Sequence, residues 1–247
     1  MDTALQSLES WLLAPQYLIW LWNGFLITLG ISLGTVVLST VLGFLLAAAR
    51  DSQIHVLRGV VVAYSSLFRN TPLLVQLFFW YFGAGQLFPS EMMQWLNTPH
   101  SISLLGATLA WPSFEFLAGL VGLTLYSSAF IAEEIRSGIR GVARGQKYAA
   151  HALGLTGFQS MRYVVLPQAL KIALSPLLGQ YMNIVKNSSL TMAIGVAELS
   201  YASRQVETET LRTFQAFGVA TVLYIVIIAV MEGWGMWRQQ RGLAERH

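Results

Sequence analysis

Three amide side chains recur at helical spacing inside an apolar run. Gln180, Asn183 and Asn187 fall at i, i+3 and i+7, with Lys186 beside them and Pro176 one turn earlier on the same face. In a membrane such a stripe points to a pore lining or to a helix–helix contact, where the amides hydrogen-bond between packed helices. Asn187 precedes Ser188 and Ser189, so it reads as a cap opening a second half-helix. The free N–H groups and positive dipole end of such a helix would suit a carboxylate. Arg69, deep in another apolar run, is followed by Asn70, Thr71 and Pro72. A mid-membrane Arg costs about 2.5–3.5 kcal/mol on insertion scales, so it should face protein or water. Its two readings are a contact to solute and a brace for the carbonyl that Pro72 frees. Glu133 stands one turn before Arg136 and reads either as a solute contact or as a local i, i+3 ion pair.

The elements that carry these groups follow from composition. The chain has 247 residues, 55% hydrophobic and only 11% charged, against about a quarter charged in soluble domains. The reading is an all-α integral membrane protein with about five spans: 18–48, 59–82, 114–135, 169–196 and 214–237. Arg50, Arg58, Arg136, Arg140, Arg144, Lys147, Arg162, Arg238, Arg241 and Arg246 gather on one side. The other side has Arg204 and Arg212 with Asp2, Glu9, Glu91, Glu207 and Glu209. The positive-inside rule then puts the N-terminus outside and the C-terminus in the cytoplasm. The basic excess is thus a topology signal, not a nucleic-acid footprint. Gly119, Gly122, Ser127, Ser128 and Ala129 suit the third span to close packing. Without cysteine, thiolate chemistry is excluded, and His55, His100, His151 and His247 are too scattered for a metal site.

Between the third and fourth spans lies "GQKYAAHALGLTGFQSMRYVVLP", too polar to span and too helical for a linker. Gly145 precedes a short helical run, and Gly154 can end it in a left-handed conformation. Thr156 and Gln159 form a capping-box pattern for a second short helix that stops near Pro167. Ala149, Ala152 and Leu153 share a face on which another backbone can approach closely. A loop helix resting on the membrane surface is the plainer alternative.

These residues resemble the EAA loop of ABC importer permeases: Glu-Ala-Ala, three residues, Gly, nine residues, Ile-x-Leu-Pro. Here the chain reads Tyr148-Ala149-Ala150, three residues, Gly154, nine residues, Val164-Val165-Leu166-Pro167. "LFRNTPLLVQLFFWYFG" (67–83) and "YMNIVKNSSLTMAIG" (181–195) are similar to the polar-amino-acid branch, and "GFLITLGIS" fits more weakly. The resemblance runs from Asn23 onward, apart from the loop 87–111. It implies one type I permease domain over 1–247 with a cytoplasmic coupling loop at 138–167. Gly145, Gln146, Tyr148, Ala149, Ala150, Leu153, Gly154 and Leu155 would then meet an ATPase subunit. It also implies two ATP-binding subunits inside, a second permease subunit, an external solute-binding protein and a place in the bacterial inner membrane. Tyr148 stands where the family has Glu, which removes one charged contact from the docking surface.

The family also carries the Arg-x-Thr-Pro of Arg69 whatever the substrate, which favours the brace. It places an acidic residue at Glu133, and a Lys-Asp pair at Lys186-Asn187, near the amino-acid site. With Asn at 187 a negative charge is missing, so the reading leans to an acidic or neutral polar amino acid, glutamate and aspartate first. The chain has no G-x-x-x-x-G-K-[ST] phosphate loop, so ATP would be bound by partners and the chain itself needs no cofactor. A stand-alone ion-coupled carrier or channel is the competing class, but it wants several acids within spans, and only Glu133 qualifies. Neither H-E-x-x-H nor G-x-S-x-G occurs, so nothing argues for a membrane enzyme.

Overall fold

The computed structural model describes residues 13–98, 100–104 and 107–244. Asp2, Glu9, Arg246 and His247, used in the charge and histidine readings, lie outside the described residues. The architecture is helical. α1 is Pro15–Arg50, α2 His55–Asn70, and α3 Leu73–Phe78, which runs on through a π turn to Gly83 and a 3-10 turn to Leu87. α4 is Ser90–Asn97, α5 Phe114–Gly141, α6 Arg144–Ala152 and α7 Gly157–Gln159. α8 is Leu166–Ser188, α9 Leu199–Thr210 and α10 Thr213–Ala244. One feature departs from the all-α expectation: β1 (Ser101–Leu104) and β2 (Ala107–Ala110) form an antiparallel hairpin, with Ser101 opposite Ala110.

Three of these helices are long and apolar enough to cross a membrane: α1, α5 and the Thr213–Arg238 part of α10. At 1.5 Å per residue α1 is about 54 Å long, well beyond a hydrocarbon core of about 30 Å. The second expected span, 59–82, is not one helix. Thr71 is extended (φ −113°, ψ 142°) and separates α2 from α3, as the residue before a proline is steered to be. The fourth expected span becomes α8 plus a 3-10 turn, Ser189–Ile194.

The chain divides into two compact units, each assembled from several segments. One takes the chain up to Gly34 with Leu73–Leu123 and Val185–Val230. The other takes Thr35–Pro72, Thr124–Ile184 and the chain from Met231 on. In the first unit Leu21 and Phe25 of α1 pack on Leu199, Ala202 and Val206 of α9 and on Ala216 and Ala220 of α10. At the centre of this packing is Glu198, fully buried. It caps α9 by accepting the Tyr201 N–H at 2.9 Å, and it also accepts the hydroxyls of Tyr224 (2.8 Å) and Thr28 (3.4 Å). A buried carboxylate is tolerable there because a helix N-terminus and three donors face it.

In the second unit Ala47 of α1 packs with Ile131 and Ile135 of α5 and with Ala173, Leu177 and Ile184 of α8. Here α5 and α8 touch backbone to backbone. A Cβ on Gly138 would lie 2.5 Å from the Ala169 carbonyl oxygen and 2.8 Å from the Ala173 Cβ. Neither group is a flexible side-chain end, so even Gly138→Ala must push two helices apart. Overpacking of this kind costs about 1–3 kcal/mol. Detergent-solubilised Gly138→Ala protein is therefore expected to melt several degrees below the parent, and Gly138→Val to give little folded permease by size-exclusion chromatography. An unchanged melting midpoint for Gly138→Ala would show that this close approach is dispensable.

Small residues do the same work elsewhere on α5, as expected. In the first unit, a Cβ on Gly119 would meet Thr191 and one on Gly122 would meet Leu77. In the second unit Ser128, fully buried, bonds the Leu125 carbonyl at 3.0 Å and the Tyr64 hydroxyl at 2.8 Å.

Candidate functional site

α8 carries Gln180, Asn183, Lys186 and Asn187 on an unbroken helical course with Pro176 inside it. Asn183 and Lys186 are exposed; Gln180 and Asn187 are half-buried. The expectation that Asn187 opens a second half-helix is overturned. Asn187 lies within α8, and the chain passes through Ser188 in αR geometry into the 3-10 turn. The hydroxyls bond backward instead of capping forward: Ser188 to the Val185 carbonyl, Ser189 to Lys186 and Thr191 to Ser188, each at 2.7 Å. Such back-bonding is the usual alternative to capping for Ser and Thr. The dipole end at Asn187 is therefore the negative, C-terminal one, which favours a cation. Lys186 sits in that last turn and is matched to it.

Glu133 resolves toward the ion-pair reading. Its carboxylate accepts from Arg136 at 3.2 Å and Arg140 at 2.8 Å, and Arg136 also reaches Asp51 at 3.4 Å. The next residue is the one that reaches the amide stripe. Glu134 Oε1 accepts from Gln180 Nε2 at 3.2 Å, which joins a carboxylate on α5 to the amide stripe on α8. Sequence reasoning missed it, although a signal existed. Arg136 and Arg140 lie three and seven residues past Glu133, on its own face, and so leave the neighbouring carboxylate on another face.

Arg69 holds no freed carbonyl. Its guanidinium stands over the Phe130 ring, 5.3 Å from the centroid, a cation–π contact. The brace at the break is Thr71, whose hydroxyl donates to the Leu67 carbonyl at 2.8 Å. Among the described residues of the second unit, Arg69, Glu133, Gln180 and Asn183 make no hydrogen bond or ion pair with one another.

The loop 138–167 builds as a separate module of the second unit. α6 starts at Arg144, so Gly145 falls in its first turn and does not precede it. Ala150 is buried, 2% exposed, and Val142, Val165 and Ala169 form a small core of their own. Gly154 has φ +79°, and the turn returns the N–H groups of Leu153, Gly154 and Leu155 to the carbonyls of Ala149, His151 and Ala150. The capping box is present: Gln159 N–H donates to Thr156 Oγ1 at 3.3 Å, and Thr156 N–H to Gln159 Oε1 at 2.9 Å. The second helix does not stop at Pro167. It widens into a π turn, Ser160–Val165, and continues as α8, with Pro167 in the first turn, where a missing N–H costs little.

Gln146 is tied to Gln168 at 3.3 Å. Tyr148, Ala149, Ala152, Leu153 and Phe158 are exposed. The module carries Arg140, Arg144, Lys147 and Arg162 and no acidic residue between 138 and 167. The double turn thus presents exposed aromatic and leucine side chains beside basic ones, a composition typical of contact surfaces.

Residues 39–241 match the family described as the binding-protein-dependent transport system inner membrane component. The chain belongs to this family. It is a multi-pass inner-membrane permease, as the EAA-like loop and apolar helices foretold. The glutamate/aspartate import permease protein GltJ of Escherichia coli K12 is 31% identical to it over 214 residues, 86% of this chain and 83% of that one. The probable glutamine ABC transporter permease protein GlnM of Bacillus subtilis 168 is 37% identical over 205 residues, 83% of this chain and 85% of that one. Among solved structures, an amino acid ABC transporter with histidines superposes with a TM-score of 0.75 at 30% identity, covering 92% of this permease and 95% of that chain. The inward-facing MetNI methionine ABC transporter, at 20% identity and TM-score 0.71 over 93% of this chain and 99% of that one, shares the fold. These neighbours make the permease a type I importer fold.

Proposed function

We propose that this permease is the membrane-spanning subunit of an ATP-driven importer of polar amino acids, with glutamate and aspartate as first cargo. The observation that carries the reading is the α8 stripe, with Lys186 exposed beside Asn187. Lys186 supplies a positive charge for a side-chain carboxylate, and the amide at 187 adds no repulsion. Similarity to a glutamate/aspartate permease points the same way. One observation favours glutamine as a second reading. Glu134, bonded to Gln180, puts a carboxylate against the stripe, and a neutral amide tolerates it better than a second carboxylate does.

In this reading residues 1–247 act as one transmembrane domain, N-terminus outside and C-terminus in the cytoplasm. Two ATP-binding subunits dock on the loop 138–167 and hydrolyse the ATP. A second permease subunit, identical or homologous, completes the path, and an external binding protein delivers the solute. The loop surface centred on Tyr148, Ala149, Ala152 and Leu153 is the contact that passes ATP-driven closure to the spans, with Arg144, Lys147 and Arg162 as its charged neighbours in place of the family Glu.

The test is reconstitution of the permease with its ATPase and binding protein in liposomes. ATP-dependent uptake of labelled glutamate, competed by aspartate and less by glutamine, is expected. Uptake that proceeds without ATP and follows an ion gradient would replace this reading with an ion-coupled carrier. Competition led by glutamine would select the second cargo.

A further inference from the structure

The segment between α3 and α5 is not used by the function above, and it has a pattern of its own. From Leu87 to Trp111 its only formal charge is Glu91. Helix α4 sits in this segment and divides into three faces. At about 100° per residue, Met92 and Trp95 point about 100° away from Met93 and Leu96 on one side. They point about 100° away from Glu91 and Gln94 on the other.

The first of the flanking faces is packed on protein. Leu96 is buried, and Met93 reaches the backbone at Gly85, where an added Cβ would lie 3.2 Å from its methyl and 3.1 Å from Phe114. The Glu91–Gln94 face is polar and exposed. The third face is apolar and uncovered: Met92 is 44% and Trp95 48% exposed, directly after Phe88 at 41% and Leu87 at 83%. The Trp95 ring also meets Trp111 edge-on, 5.5 Å between centroids. This ties the helix to the residues that lead into α5.

Chain connection fixes where this face is. Only two residues separate the end of the apolar run Leu73–Leu87 from the start of α4. The spanning helix α5 starts at Phe114, beside the same contacts. A helix pinned between the end of one apolar segment and the start of a span sits at the membrane surface. There a face of Met and Trp between protein and water has one matching neighbour, the boundary of headgroups and acyl chains. We infer that α4 is an interfacial membrane helix, with Met92 and Trp95 inserted into the lipid and Glu91 and Gln94 in water.

The chain has no native cysteine, so single-cysteine variants can be spin-labelled directly. Met92→Cys and Gln94→Cys permeases are labelled with a nitroxide and reconstituted, with their partner subunits, in phosphatidylcholine–phosphatidylglycerol vesicles. Relaxation by oxygen is then compared with relaxation by a water-soluble nickel chelate. Oxygen should dominate at residue 92, at a depth of about 5–10 Å below the phosphates, and nickel should dominate at residue 94. Trp95→Cys gives a second, independent reading of the lipid face if the label at 92 disturbs folding. Nickel access at 92 and 95 equal to that at 94 would overturn the inference. So would shielding of 92 and 95 from both reagents, which would mark a protein occupant, whether a second copy or the binding protein.

Discussion

A transporter carrying Gly154→Arg is expected to insert in the membrane, hold its fold and lose both ATPase association and uptake. The reason is the left-handed turn that the sequence suggests and not close packing, since a Cβ at this position meets nothing within 4 Å in the chain itself. What the permease demands of residue 154 is the left-handed backbone, φ +79°. An L-residue there costs about 1–2 kcal/mol, enough to displace a surface turn and too little to unfold two packed units. The turn sets the angle between α6 and the capped α7, and so the relative placing of Tyr148, Leu153 and Phe158. Asn tolerates the left-handed region, so Gly154→Asn should keep most of the uptake that Gly154→Arg loses. Co-purification of the ATPase subunit with each variant, at matched expression, reads the contact directly. Wild-type association by Gly154→Arg would detach the turn from coupling altogether.

Much of the fold was legible because burial in a membrane is written in long apolar runs. The first span was read as 18–48 and α1 is Pro15–Arg50; the last as 214–237 and α10 begins at Thr213. The loop module was legible because glycine, threonine and glutamine have few local uses, and Gly154 and Thr156–Gln159 serve the expected ones. Three features were not legible, each for a local reason. Asn187-Ser188-Ser189 resembles a cap, but serine hydroxyls bond backward as readily as forward, and the preceding helix decided the matter. Arg69 lies over the Phe130 ring and not at a freed carbonyl, a contact between distant helices that no local spacing shows. The hairpin at 101–110 sits in a ten-residue stretch with no periodicity long enough to separate strand from loop. Glu198, which no motif singled out, is a buried helix cap held by Thr28 and Tyr224.

The substrate charge is the sharpest remaining expectation. In Asn187→Asp permease a carboxylate joins the stripe one residue from Lys186. Two unit charges about 4 Å apart at an effective dielectric of about 20 interact by about 4 kcal/mol. Water and side-chain movement reduce this, but a third of it is still about a tenfold change in affinity. The apparent affinity for glutamate should fall by about that factor or more, and that for glutamine much less. Lys186→Ala should act in the same direction, by removing the positive charge. Glu134→Gln gives the opposite sign. It removes the carboxylate that accepts from Gln180 and should raise glutamate affinity relative to glutamine. The three variants together separate charge from packing, because a stripe that only joins helices would weaken transport of both solutes alike. Unchanged glutamate affinity in Asn187→Asp would return Gln180, Asn183 and Asn187 to helix packing and take away the physical argument for an acidic cargo.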